Sequence, residues 1–464
     1  MACIGFEEGD EDGGFGCGLA ADGQPIVMPT VEKVDGILNG CDGDEVVGYV
    51  PPRDGVATMR RIAACAVMAG CWSHSQFSVV VAALRATLNY DFNSHGVNAT
   101  TMGATPLIMV SGRARVDADI NCGLGCLGSG SRANAAIGRA VKLATHLIGG
   151  ATLGGTESTT IGSPAKFFAC FGENEEVLNK KWKPYSSEST VTVFPCTSMT
   201  QVVDFDRVSA NDLVDDVSEA LVFGCWSARF PLLSSVTVIL SPEHYTLATL
   251  KFRSRKDFQR ALFRASNRKC AFHVSRSVVK LGPFSWIVSY MLGFICYLLT
   301  FVNIALLPKF ETFESIHVAV AGGSAGKFTL VCAGFGAGFK NMSTSRLSLP
   351  VTEADVDVSK FWPRKTTHST LFKKSIVDPR VGGTLASTSP SQRPLNKPLR
   401  KIAVFDISKG GSKDFLDAVA SCLSSFKVPI VRFRKPTFAR RAPEQLIDDI
   451  VKSGVSHVVL GLAD

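Results

Sequence analysis

The chain has 464 residues, of which 46% are apolar and 19% are charged, ordinary values for a globular protein of two or three domains. Its formal net charge of +8 is scattered and lacks the interleaved aromatic residues of a nucleic-acid module, so we expect no nucleic-acid partner. Its 14 cysteines form no C-x-x-C pair and meet no histidine at zinc-site spacing, which argues against a metal site and for free thiols in a reducing, cytoplasmic compartment.

The first 345 residues contain an acidic start and a long globular part. Residues 1–29 are acidic and glycine-rich, which predicts a disordered tail rather than a secretory signal. Residues 30–345 have a globular composition, and we expect an N-terminal α+β domain there. Within it, His95 and Asn98 lie in the polar stretch NSHGVNATT before an apolar strand. A histidine in such company is either a structural group or a substrate-binding base.

The densest motif is INCGLGCLGSGSRANAAIGRAVK, which starts at Ile120. Gly123, Gly125 and Gly128 match G-x-G-x-x-G, and Ser131 is placed to cap the following helix. A dinucleotide site also needs a strong preceding strand and an acidic residue about 20 positions later, and both are missing. The motif therefore predicts either an anion-binding loop at a helix N-terminus or a tight turn required by close packing.

A second glycine-rich stretch and an uncharged run follow later in this domain. The run at 283–308 is long enough to cross a bilayer of ~30 Å, so the segment 285–307 is a candidate single-pass membrane anchor. A buried core helix and an insertion such as a retained intron are the alternatives. GGSAGKFT is similar to a phosphate loop, but Phe328 stands where Ser or Thr binds magnesium, so we predict no ATP hydrolysis.

The C-terminal part has the clearest secondary-structure pattern. Residues 346–400 are rich in Ser, Thr and Pro and predict a linker. After it, the apolar strands KIAVFDIS, VPIVRFR and HVVLGLA alternate with two stretches of helical periodicity. This βαβαβ order is half of a doubly wound parallel sheet. The expected fold class is therefore α/β, with an α+β domain followed by an incomplete doubly wound domain over 401–464.

Several stretches resemble one group of proteins. HGVNATT, SRANAAIGRAVKLATHLIGGA and GSPAKFFACFGENEE resemble an uncharacterised domain that occurs beside, or fused to, the UGSC-motif family of selenoprotein-related proteins. The C-terminal part, from SIVDPR through KIAVFDIS and VPIVRFRKP to VVLGLAD, resembles the start of the UGSC-like domain itself. The resemblance covers residues 40–280 and 310–464.

The resemblance implies a redox function. In that family the third strand leads into selenocysteine or cysteine, followed by Gly-Ser-Cys. Because selenocysteine is encoded by UGA, we expect that the reading frame stops at such a codon directly after Asp464 and that the sheet is incomplete for this reason. The implied protein is a selenol- or thiol-dependent redox enzyme that works with a thiol reductant. The alternative is a catalytically inactive, truncated product or a membrane-tethered binding protein.

The N-terminal domain is then expected to bind a small-molecule substrate. Residue type and resemblance together select its polar lining: His95, Asn98, Arg132, Asn134, Arg139, Lys166, Glu173 and Glu175. The glycine-rich loop is the anion-binding candidate. A redox role for Cys122 and Cys126 stays open, because the resemblance does not require these two cysteines.

Overall fold

The computed structural model describes residues 22–204, 208–223, 235–277, 309–324, 326–335, 343–347, 401–406, 412–424, 428–436 and 442–461. The chain divides into two compact units, one over residues 4–381 and one that contains residues 382–464. The expected tail before residue 22, most of the expected linker and the three residues up to Asp464 lie outside the described residues. The expected membrane segment 285–307 does too, apart from two isolated positions.

The first half of the larger unit contains most of its helices. Its elements are α1 (Val31–Leu38), β1 (Val46–Val50), β2 (Gly55–Thr58), α2 (Met59–Ala69), α3 (His74–Leu88), α4 (Ser94–Asn98), β3 (Thr105–Ser111), α5 (Ala114–Asp117), α6 (Arg132–Leu147), β4 (Cys170–Gly172), β5 (Thr190–Cys196) and β6 (Ser198–Val203). Hydroxyl side chains set several helix starts, because each accepts a hydrogen bond from a first-turn backbone N–H. The predicted cap Ser131 is confirmed, since its Oγ accepts from the N–H of Asn134.

The second half of this unit has the same order of elements as the end of the first half: a helix, a central strand, a helical connection and then further strands. Its elements are α7 (Ala210–Phe223), β7 (Val236–Leu240), α8 (Pro242–Lys251), α9 (Arg255–Ser277), β8 (Ile316–Val320), β9 (Phe328–Ala333) and β10 (Ser343–Arg346).

The two halves build sheets of the same topology. One sheet has the strand order β10-β5-β3-β4 and the other has the order β6-β9-β7-β8. In each sheet a central strand pairs in parallel with the next strand along the chain and antiparallel with the one after it. The fourth strand comes from the other half, since β6 pairs with β9, and β10 pairs with β5. The halves therefore exchange their edge strands, β6 and β10.

A short connection explains the first exchange. Only Thr197 separates β5 from β6, whereas a hairpin needs a loop of at least about two residues. The backbone N–H of Thr197 donates to the carbonyl of Ala333 in β9, at 2.8 Å. The chain consequently runs on from one sheet into the other instead of turning back beside β5.

The sheets and helices form four layers. On β3, Ile108 and Val110 pack against the helices of the first half, and Met109 packs on the opposite face with Ile239 of β7. On β7, Val238 packs against the helices of the second half. Because side chains alternate between the faces of a strand, each sheet has one face on helices and one face on the other sheet. The order is helices, sheet, sheet, helices.

The C-terminal unit is a small parallel sheet with helices on both faces. It contains β11 (Ile402–Asp406), α10 (Ser412–Ser424), β12 (Ile430–Arg434), α11 (Glu444–Lys452) and β13 (His457–Gly461). The strand order is β12-β11-β13, and both pairings are parallel. Val404 packs with α10 on one face, and Phe405 packs with Ile450 of α11 on the other. The expected α/β class and the βαβαβ order are confirmed.

Within the described residues no single helix is both long enough and apolar enough to cross a bilayer. Helices α2 and α3 meet that requirement only when taken together, and the chain bends by 116° between them. Most of their residues are buried in the core of the larger unit.

Candidate functional site

The glycine-rich loop, residues 120–131, lies where the two sheets meet. It follows α5 rather than a strand, so the strand–turn–helix order of a dinucleotide site is absent from this part of the described chain. The N–H of Gly322, just after β8, donates to the carbonyl of Cys122 at 2.8 Å. Asn174, just after β4, donates its backbone N–H to the carbonyl of Val320 at 2.7 Å. The loop therefore sits at the carboxyl ends of β4 and β8.

Asn134 holds this loop in shape. Its side-chain amide donates to the carbonyls of Asn121 and Cys126, both at 2.8 Å, and its Oδ1 accepts from the N–H of Asn121 at 2.9 Å. Asn134 is only 3% exposed, so these bonds have no competition from bulk water. Asn134 was expected to bind substrate, but its contacts within the loop give it a structural role.

The three glycines of the motif form part of a tight turn. The N–H of Gly123 donates to Asn121 Oδ1 at 2.8 Å, and the N–H of Gly128 donates to the carbonyl of Gly125 at 2.7 Å. Gly125 has a φ of 65°, in the left-handed region that favours glycine. Because the amides of Gly123 and Gly128 bond within the loop, the geometry favours the tight-turn interpretation over the anion-binding one.

Cys122 lies on this loop in a polar setting. Its Sγ is 3.6 Å from Nη1 of Arg115 and 4.0 Å from Oε2 of Glu176. The guanidinium of Arg115 is 6% exposed and binds both carboxylate oxygens of Glu176, at 2.9 and 3.0 Å, while its Nε is 3.2 Å from Glu175. Burial raises the pKa of the half-buried Cys122 thiol, Arg115 lowers it, and Glu176 raises it again. The net result is a pKa above the ordinary value of a cysteine.

Further thiols extend from Cys122 as a series, since Cys126 interacts with Cys122, and Cys170 interacts with Cys126 and Cys71. Burial, together with the proximity of Cys122, raises the pKa of Cys126 to about 11. Burial raises the pKa of Cys170 as well, with smaller contributions from Cys71 and Cys126. We call Cys71, Cys122, Cys126 and Cys170 the thiol cluster. Within the described residues, no group of three or more His, Cys, Asp or Glu side chains is placed to hold a metal ion.

Lys166 belongs to a second polar cluster. Its Nζ is 2.7 Å from Oε1 of Glu157 and 2.8 Å from the hydroxyl of Thr159, and Nζ of Lys142 is 2.9 Å from Oε2 of the same carboxylate. Burial raises the pKa of Glu157, but the two lysines outweigh it and bring the pKa to about 2. Burial and the charge of Lys142 lower the pKa of Lys166. We call Lys142, Glu157 and Lys166 the lysine–glutamate centre.

The remaining arginines and glutamates of the predicted lining lie elsewhere. Arg139 pairs with Asp22 at 2.7 Å and so fastens the N-terminal segment to α6. Arg132 stacks on Trp72, with its Cζ 4.5 Å from the ring centroid. Glu173 is fully buried and accepts from Nη2 of Arg255 at 2.8 Å and from the N–H of Tyr185 at 2.6 Å. Its burial raises its pKa, and Arg255 opposes the shift.

The last three predicted residues lie in two places. Glu175 accepts from the N–H of Gly112 at 2.6 Å and lies beside Arg115, so it belongs to the setting of Cys122. Asn98 is buried in α4 and donates to the hydroxyl of Ser94 at 3.1 Å, and His95 lies in the same short helix. The eight predicted side chains are thus distributed over several local settings of the described structure.

Four side chains that complete these clusters were missed from the sequence. Arg115 and Glu176 contact Cys122; the sequence before the glycine-rich loop showed only that a strong strand is missing, and the structure has α5 there. Lys142 and Glu157 complete the centre around Lys166. One signal was available: Glu157 is the only charged residue in the neutral stretch ATLGGTESTTIG, which lies between two helical segments that each carry a lysine.

Comparisons with known proteins assign no role to any residue of this chain. Neither protein-family models, nor curated proteins, nor solved structures give a match.

Proposed function

We propose that this protein is a thiol-dependent redox enzyme and that Cys122 and Cys126 of the glycine-rich loop are its reactive pair. The observation that carries the proposal is the placement of two interacting thiols on one loop held by Asn134, with Cys122 half-buried beside a guanidinium and Cys126 buried. The resemblance to the UGSC-related proteins supports the same class of chemistry.

The reaction is thiol–disulfide exchange with a disulfide R–S–S–R. The Cys122 thiolate attacks one sulfur, so a mixed disulfide forms while the S–S bond of the substrate breaks and RS⁻ leaves. The Cys126 thiolate then attacks the Cys122 sulfur, forms the Cys122–Cys126 disulfide and releases the second RS⁻. The two protons lost by the cysteines are taken up by the two leaving thiolates. A dithiol reductant returns the pair to the reduced state.

The surroundings of the pair support an attacking and a resolving role. Cys122 is the more exposed of the two, as an attacking thiol must be, whereas Cys126 is 7% exposed. A turn closes between them, since the N–H of Cys126 donates to the carbonyl of Gly123 at 3.2 Å. Burial, with a further contribution from Glu176, raises the pKa of the Cys122 thiol. We therefore expect exchange to accelerate as the pH rises.

Mass spectrometry after mild oxidation tests the proposal. Reduced protein is treated with oxidised glutathione, the remaining thiols are alkylated, and the linked peptides are identified. We expect a Cys122–Cys126 linkage in the wild type and a trapped glutathione adduct on Cys122 in Cys126→Ser. The exposed Cys422 in the C-terminal unit serves as the control for non-specific reaction. The proposal fails if Cys422 reacts while Cys122 remains reduced, or if the wild type keeps an unresolved adduct on Cys122.

A second location for the same chemistry rests on the resemblance, which implies a selenol or thiol beyond Asp464. The carboxyl edge of the C-terminal sheet is a suitable setting, because Asp406 and Arg434 end adjacent parallel strands there and their side chains are 3.4 Å apart. A nearby cation lowers the pKa of a thiol or selenol. Genomic sequencing past the Asp464 codon tests this location: an in-frame UGA followed by Gly-Ser-Cys codons supports it, and any other stop codon removes it.

A further inference from the structure

The lysine–glutamate centre is a rigid group of charges unrelated to the thiol pair. Lys142 projects from α6, Lys166 ends a short 3-10 helix, and Glu157 lies in the loop between them. The loop is fixed to the segment after α4, since the N–H of Thr160 donates to the carbonyl of Thr101 at 2.9 Å and the hydroxyl of Thr159 donates to the carbonyl of Met102 at 3.0 Å. The three charged side chains are thereby held in place before any ligand arrives.

The charges of the centre do not balance. Two ammonium groups share one carboxylate, and the side chains of Lys142, Lys166 and Glu157 are only 13%, 11% and 7% exposed. His146 on α6 interacts with both Lys142 and Glu157, and burial and Lys142 lower its pKa; a histidine is neutral or positive, so it supplies no negative charge. Asp22 faces the same region, but Arg139 neutralises it at 2.7 Å. An excess positive charge in a poorly hydrated setting is unfavourable, and a bound anion relieves it.

The ammonium groups also have donors to spare. Each carries three N–H donors. Of the contacts in the described structure, Glu157 takes one donor of Lys142, and Glu157 and Thr159 take two donors of Lys166. Thr101 and Thr160 of the two fixed loops are exposed, and the side chains of both lysines keep a small exposed fraction.

We propose that Lys142 and Lys166 together bind a small oxyanion, a carboxylate or a phosphate, while Glu157 keeps the two ammonium groups at the correct separation. The anion accepts one charge-assisted hydrogen bond from each lysine and cancels the excess charge. Thr159 positions Lys166 through the hydrogen bond between its hydroxyl and Nζ. The inference is independent of the redox proposal, because its residues make no contribution to the setting of Cys122.

Thermal unfolding in the presence of simple anions tests this site. Sodium phosphate and sodium acetate are each titrated against sodium chloride at equal ionic strength, so that screening is the same in all arms. We expect a saturable rise of the unfolding temperature beyond that in chloride. Saturation with phosphate alone assigns a phosphate site, and saturation with acetate alone assigns a carboxylate site. No rise with either anion overturns the proposal.

Two variants decide whether the rise comes from the lysine–glutamate centre. Lys166→Met leaves a neutral Lys142–Glu157 pair, so it should fold, yet it should weaken the apparent affinity for the anion by ~10-fold or more. Lys180→Met removes the same charge from an exposed lysine and should keep the full response. Equal responses in the wild type and in Lys166→Met would overturn the site.

Discussion

Replacing Glu176 with Gln should activate Cys122. In the wild type the carboxylate of Glu176 lies 4.0 Å from the Cys122 sulfur and also binds the guanidinium of Arg115. The substitution removes a negative charge that opposes the thiolate and leaves Arg115 less completely neutralised. Both effects lower the pKa of Cys122, so the thiolate fraction at neutral pH increases.

The size of the effect follows from the distance and the exposure. Two unit charges at 4 Å interact by ~1 kcal/mol in water and by ~4 kcal/mol at the effective dielectric of a protein surface. The side chain of Glu176 is 61% exposed, so the aqueous value is the appropriate one. An energy of ~1 kcal/mol corresponds to a ~5-fold larger thiolate fraction. The freed charge of Arg115 acts in the same direction and makes this a lower bound.

The assay is the rate of Cys122 alkylation by iodoacetamide as a function of pH, followed by peptide mass spectrometry. Glu176→Gln should react ~5-fold faster near neutral pH and reach the wild-type rate at high pH, where both proteins carry the thiolate. Glu32→Gln, which removes an exposed carboxylate from α1, is the control and should leave the rate unchanged. An unchanged rate in Glu176→Gln, or a higher plateau at high pH, would refute the electrostatic explanation, since a higher plateau indicates increased exposure.

Three further predictions concern stability. Asn134→Ala should lower the free energy of unfolding by about 2–4 kcal/mol in urea titrations, because it leaves buried groups of the glycine-rich loop without hydrogen-bond partners. The control is Ser129→Ala at an exposed position of the same loop, which should change the free energy of unfolding by less than about 0.5 kcal/mol. Ser131→Ala should remove the cap of α6 at a cost of about 1 kcal/mol in the same titrations. Glu157 has its pKa lowered to about 2 from an ordinary 4.5, so its contribution to stability is complete above about pH 5 and is lost as the pH falls toward 2. Glu157→Gln should flatten the pH dependence of unfolding in that window, and an equally steep acid transition in this variant would contradict the assignment.

The C-terminal fold was predictable because its information is local. Apolar runs such as KIAVFDIS alternate with amphipathic helices, and parallel pairing follows from the crossovers. The sheet topology of the larger unit could not be predicted, because its sheets contain strands that are far apart in the sequence. Val193 of β5 pairs with Ser343 of β10, and β10 carries no apolar run that would identify it as a strand.

The candidate sites show the same division between local and distant information. Residue type and resemblance together selected Asn134 and Lys166, and both make buried polar contacts. Their roles depend on partners that sequence spacing does not reveal: a loop carbonyl for Asn134 and a shared carboxylate for Lys166. Cys122 is similar, since its environment is set by Arg115 from α5 and by Glu176 from a distant turn.

The strand exchange has a consequence for synthesis on the ribosome. When β5 leaves the ribosome, its partner β10 has not yet been translated. The backbone groups at one edge of the first sheet therefore remain unpaired until the second half has been synthesised. Such a delayed, non-local closure slows folding and exposes intermediates to association. Two nascent chains on one messenger RNA can pair with each other instead, if β10 of one chain adds to β5 of the other. Translation speed and chaperone supply are therefore expected to determine the yield of native monomer more strongly than the final stability does.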